Sequence, residues 1–184
     1  MKRWLGVFKN RRFIVSFSYL TLIILLRWRL DWQIINWYFG GGLGWLLVFL
    51  ERLVWVYWTK PQTQLATEAR YLISQRRFKA VGQLLMMRSQ EQIELSFHSA
   101  LFQAVWVPLA LFAITSTASM FGKGMIMGLG LHLLYDEWRD YRYSPELLRS
   151  WLFWQIKRTV SFQEQKVYLW IMTIAFVILS SLLV

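Results

Sequence analysis

The residues able to do chemistry in this chain are few. It holds two histidines, His98 and His132, and no cysteine, so thiolate ligands, cysteine nucleophiles and disulfides are all excluded. Glu94 stands four residues before His98, and Asp136 four residues after His132. On a helix that spacing puts each imidazole and its carboxylate on one face, and two such pairs brought together would make a ligand set for a divalent cation. The same spacing equally suits a hydrogen-bonded pair that holds no ion. Glu51 is a third acid, set in an apolar stretch where a carboxylate is costly enough to call for a reason. Sequence neighbours on a helix point in different directions, so the partner of Glu51 is expected elsewhere than at Arg52.

The elements that must position these groups are read from the distribution of charge. Of 184 residues, 57% are hydrophobic and 18% aromatic, with 12 tryptophans, and only 17% are charged, where about 25% is usual in soluble domains. The charges gather at 1–12, 60–94 and 137–166. Between them, apolar stretches at 13–26, 32–58, 97–120, 125–138 and 167–184 read as membrane spans. The first is short and bounded by basic residues, so it either crosses with snorkelling arginines or lies in the interface. Its basic start also resembles a signal peptide, although no small-residue cleavage site follows. Gly40-Gly41-Gly42-Leu43-Gly44 in the second span permits a kink or a close helix contact. It lacks the Lys-Ser/Thr ending of a phosphate loop. Segments 61–96 and 143–166 read as amphipathic helices on the membrane surface, the second with Ser144-Pro145-Glu146 as its start signal. The expectation is therefore one all-α, polytopic membrane domain over 1–184, with about five transmembrane helices plus amphipathic helices at the cytoplasmic face.

A formal net charge of +11 alone would admit nucleic acid or anionic lipid as partner. The basic residues sit beside aromatics at the ends of apolar runs, as in Arg27-Trp28-Arg29 and Trp55-Val56-Tyr57-Trp58-Thr59-Lys60. That is interfacial anchoring, so the bilayer and its anionic lipids are the expected partners and nucleic acid is not. The segments 1–12, 60–96 and 137–166 carry five, six and six Lys and Arg residues, while Arg27 and Arg29 in one remaining loop and Lys123 in the other are all those loops hold. Five spans with the amino terminus cytoplasmic put all three rich segments inside, a multi-pass arrangement in the cytoplasmic (inner) membrane. Both histidines then fall in the cytoplasmic halves of their spans.

His98-Ser99-Ala100-Leu101-Phe102 at the head of one apolar helix, followed by Gly128-Leu129-Gly130-Leu131-His132-Leu133-Leu134-Tyr135-Asp136 on the next, resembles a paired signature. It is that of membrane-bound metal-dependent hydrolases, the LexA-binding, inner-membrane-associated hydrolase family of bacteria. Uncharacterised members from small-genome bacterial lineages also show elements similar to 97–103, 115–119 and 152–155. The resemblance covers about half the chain, roughly 50–169, and departs in the family's acidic motif, which would fall near Phe49-Leu50-Glu51-Arg52, where Glu51 is the one acid. It implies His98, His132 and Asp136 as ligands of zinc, manganese or iron, with Glu51 as the replacement acid. The activity implied is metal-assisted hydrolysis of a phosphoester or lipid-like substrate, with Glu94 or Glu51 as base. Arg76, Arg77 and Arg88 would attract its anionic group. The alternative is a non-catalytic membrane scaffold that binds a protein partner, a second copy of itself or anionic lipid.

Overall fold

Start and stop signals account for most helix boundaries. The computed structural model describes residues 2–28, 31–116 and 119–184, with side chains from residue 11 onward; Arg29 and the centre of the Thr/Ser-rich stretch lie outside the described residues. All regular structure among them is helical: α1 Lys2–Arg27, α2 Gln33–Val54, α3 Gln64–Ser74, α4 Phe78–Met87, α5 Ala100–Ser116, α6 Met120–Tyr143, α7 Pro145–Leu152 and α8 Phe162–Ser181. Helix α2 runs on into a π-helical turn, Trp55–Thr59. Hydroxyls open several of these helices, as Thr63 Oγ1 does by accepting the Ala66 N–H at 3.2 Å. Pro145 occupies the first turn of α7, where a missing N–H costs nothing. A capping box of Ser161 and Glu164 opens α8, and the hydrogen bond from Arg158 to Glu164, with those from Ser161, holds that carboxyl down to about 2.

Three expected segments differ in the structure. The span expected at 97–120 is a helix only over Ala100–Ser116, because the Ser99 hydroxyl accepts the Phe102 N–H at 3.2 Å and caps the helix after His98. The surface helix expected at 61–96 is two helices, α3 and α4, with a left-handed Arg76 (φ 57°) turning the chain between them. The one expected at 143–166 stops at Leu152, and irregular chain leads to α8.

Packing is organised around α2 and α6, which run parallel and nearly touch. A Cβ on Gly124 would strike the carbonyl of Trp37, one on Gly128 the carbonyl of Gly41, and one on Gly44 the carbonyl of Met125. Small residues at every fourth position thus let two backbones approach. The glycine cluster is a close helix contact, one of its two expected uses. Helix α1 lies antiparallel to α6, with Arg12 beside Asp136 and Arg27 beside Met120. Helices α5 and α8 also run against α6, as Trp106 to Ile126 and Trp138 to Thr173 record. Trp37, Val48, Trp106, Met127 and Phe176 fill the shared core.

The start of α1, the end of α2, all of α3, α4 and α7, and the starts of α5 and α8 meet at one end of this bundle. Segments 60–96 and 137–166 and the residues around Arg12 therefore share that end. By length and composition, one continuous helix among the described residues, Gln33–Thr59, is long and apolar enough to cross a membrane, with 27 residues and mean hydropathy 1.4 in its apolar stretch.

Candidate functional site

Asp136, on α6 and 1% exposed, is the hub of the site. Its Oδ1 lies 3.2 Å from the guanidinium of Arg12 on α1 and 3.2 Å from that of Arg139, one turn further along α6. Its Oδ2 faces two imidazoles, with His132 Nε2 at 3.6 Å and His98 Nε2 at 3.9 Å. Both separations exceed hydrogen-bonding distance.

The outer partners of the imidazoles determine what those nitrogens carry. His132 Nδ1 is 2.9 Å from the backbone oxygen of Trp45 on α2. A carbonyl only accepts, so Nδ1 bears the proton. His98 Nδ1 is 2.8 Å from Glu51 Oε2, and the other Glu51 oxygen accepts the Phe97 N–H. Here too Nδ1 donates, into a carboxylate. In the neutral imidazoles both Nε2 atoms then present lone pairs toward a carboxylate oxygen, and His98 Nε2 has no hydrogen-bond partner. With both rings neutral, three electron-pair donors converge in a buried place; with either ring protonated, its Nε2–H is directed at Asp136 Oδ2.

That arrangement fits a cation. Imidazoles whose second nitrogen is fixed by a carboxylate or a backbone carbonyl are the usual supported ligands of a metal. With metal–ligand bonds near 2.1 Å, two ligands of one ion stand about 3 to 3.5 Å apart. The observed 3.6 and 3.9 Å are wider, and among the described residues no group of three or more His, Asp or Glu side chains stands close enough to hold a metal ion as it is. A cavity of about 20 Å³ adjoins His98, Asp136, Arg139, Asp140 and Trp151, room for one water or ion. The His132 ring is held by Trp45 and Phe49, and the His98 ring meets Trp151 edge-on.

Four of the expected site residues, Glu51, His98, His132 and Asp136, are therefore brought together. Glu94 is not. It lies in irregular chain, so it shares no helix with His98, and it pairs with Lys60 at 3.0 Å on the surface. Glu51 holds the outer nitrogen of His98 rather than facing the gap. Arg76 and Arg77 are exposed in the turn between α3 and α4, and Arg88 is engaged by Glu68 and Glu91.

The residues that sequence reasoning missed are Arg12, Trp45, Arg139 and Asp140. Arg139 and Asp140 follow Asp136 by three and four positions, so helix periodicity would have found them. Nothing in the sequence marks Arg12 or a backbone oxygen. Asp140 lies past the apolar part of α6 and accepts from Arg139 Nε at 2.6 Å and Trp151 Nε1 at 3.2 Å. Burial first, and then the charge of Asp136, push its carboxyl up to about 7. Comparison with protein-family models, with curated proteins and with solved structures finds no match for the chain.

Proposed function

We propose that this chain is a polytopic inner-membrane protein whose buried centre holds a divalent cation on His98, His132 and Asp136 and hydrolyses a phosphoester or lipid-like substrate at the cytoplasmic face. The observation that carries it is the convergence of two imidazole Nε2 atoms on one buried carboxylate oxygen, with the outer nitrogen of each ring fixed by an acceptor. The resemblance to LexA-binding, inner-membrane-associated hydrolases, carried by the two histidine motifs, supports the same reading.

Bound there, the ion would supply Lewis-acid chemistry, lowering the pKa of a water and polarising an ester oxygen. The protein's own residues divide the remaining work. Glu51 and the Trp45 carbonyl hold the imidazole tautomers, Arg12 and Arg139 neutralise the ligand carboxylate, and Asp140 lines the adjoining cavity, where a carboxylate could serve as general base. The membrane part is supported by large apolar side chains exposed on four helices, among them Phe17, Phe39, Phe112 and Ile174. Soluble monomers rarely expose so continuous an apolar surface.

A second reading is favoured by the partners of the same carboxylates: Arg12 and Arg139 pair with Asp136, and the Phe97 N–H and His98 satisfy Glu51, without any ion. The centre would then be an internal ion-pair network tying α1, α2, α5 and α6 in a non-catalytic subunit. Metal analysis of detergent-purified protein separates the two. Stoichiometric zinc, manganese or iron, lost in both His98→Ala and His132→Ala, is the expected result. A metal-free wild type as stable as its chelator-treated sample would establish the network reading instead.

A further inference from the structure

An apolar groove opens between the end of α2 and helix α4. Its volume is about 470 Å³ and its walls include Phe49, Leu53, Tyr57, Ile73, Val81 and Met86, a size ordinary for a small-molecule site. Its one charged lining residue is Arg52, which also lines the small cavity beside His98 and Asp136. This side chain thus borders both spaces.

The partners of Arg52 are neutral. Its Nη1 donates to the Leu85 carbonyl at 3.1 Å and reaches Gln92 Oε1 at 3.5 Å. Among the described residues no carboxylate lies within ion-pair distance of it; Arg70 and Arg149 likewise hold backbone oxygens, whereas Arg12, Arg88, Arg139 and Arg158 each have a carboxylate, but of these arginines Arg52 is the one that lines the groove. A guanidinium so enclosed, holding neutral acceptors alone, retains donors matched to an anion.

We propose that this groove binds an anionic glycerophospholipid, with an acyl chain between α2 and α4 and the phosphate on Arg52. The charge and the apolar walls together select an amphiphile, because a free phosphate leaves the groove empty and a phosphate-free lipid leaves the open guanidinium donors unused. The lipid's phosphoester then stands at the side chain that also lines the cavity of His98 and Asp136, with its acyl esters on the groove side, so the reading names a phosphoester as the substrate class of the proposed centre. It rests on the membrane reading above but not on the metal.

Gly82 supplies a clean probe. It lines the groove, and a Cβ built on it meets nothing within 4 Å, so Gly82→Phe fills the space without displacing packed atoms. Delipidated protein is offered dioleoyl-phosphatidylglycerol or the phosphate-free dioleoylglycerol in mixed micelles, binding is read by native mass spectrometry, and metal content is measured on the same samples. Wild type is expected to retain one phosphatidylglycerol about tenfold more tightly than dioleoylglycerol. Arg52→Gln should lose that preference, Arg52→Lys should keep most of it, and Gly82→Phe should lower occupancy by both lipids. Equal binding of the two lipids by wild type, or full phosphatidylglycerol binding by Gly82→Phe, overturns the proposal whatever the metal content. Lipid selectivity in metal-free protein would sustain it while removing the hydrolase reading.

Discussion

At the residue scale the carboxylate of Glu51 is the outer support of the centre, because it closes two donors at once. It accepts from the Phe97 N–H and from His98 Nδ1. Glu51→Leu strands both, at about 1–3 kcal/mol for each unpaired group. Glu51→Gln keeps one acceptor oxygen and should cost roughly half as much in a detergent unfolding titration. If His98 ligates an ion, either change also weakens metal retention by about 10- to 100-fold, the usual effect of removing an outer partner. Equal stability of the Gln and Leu variants would show that Glu51 does not hold these donors. The pairing of His132 with Asp136 was legible in the sequence because both lie on one helix, where spacing alone decides which side chains share a face. The same rule applied to Glu94 and His98 fails, because Ser99 caps α5 just after the histidine and leaves both residues outside any helix. The contact that His98 does make crosses 47 residues, and no local spacing encodes a closure of that length.

At the element scale the positions of Glu51, His132 and Asp136 follow from the crossing of α2 and α6. Trp45 can hold His132 because Gly41 and Gly128 let the two backbones touch one turn earlier. A methyl group at Gly128 must push α2 away, which costs about 1–3 kcal/mol for overpacking, or more where the obstacle is backbone. Gly42 in the same cluster is the control, since its Cβ would meet nothing within 4 Å. There an alanine should stabilise the helix by about 0.5 kcal/mol through lower backbone entropy in the unfolded chain. Gly128→Ala is thus expected to unfold at lower denaturant than wild type and Gly42→Ala at equal or higher; a similar loss in both would mean that helix flexibility, and not contact, is what the glycines provide. The close-packing role of 40–44 could be read from sequence because so many glycines in an apolar helix have few other uses. Their counterparts Gly124 and Gly128 carry the same four-residue spacing, yet which helix they meet is a matter of tertiary structure.

At the scale of the whole molecule, the all-helical class follows from long apolar runs punctuated by hydroxyl and proline starts, and composition sufficed to read it. Whether each run crosses lipid is a separate question, because only Gln33–Thr59 passes on length and hydropathy alone. Helix α6 carries a buried charged cluster, α5 is 17 residues long, and α8 begins with charged side chains, so local composition understates them. What α5 and α8 share is their outer surface: Val105 and Phe112 on α5 and Ile171, Ile174 and Ile178 on α8 are each about half exposed or more. Water would penalise that surface and a bilayer would not. The absence of cysteine makes this testable, since any cysteine introduced is unique. Ile174→Cys on α8 and Arg77→Cys in the α3–α4 turn are both open on the protein surface. In a soluble protein the two would react alike with a water-soluble maleimide. In the proposed arrangement Arg77→Cys reacts only once the cytoplasmic side is opened, while Ile174→Cys stays unreactive in opened membranes and reacts only after denaturation. Prompt labelling of Ile174→Cys would remove α8 from the bilayer, and labelling of Arg77→Cys in intact cells would invert the orientation, carrying the His98 and Asp136 centre to the opposite face with it.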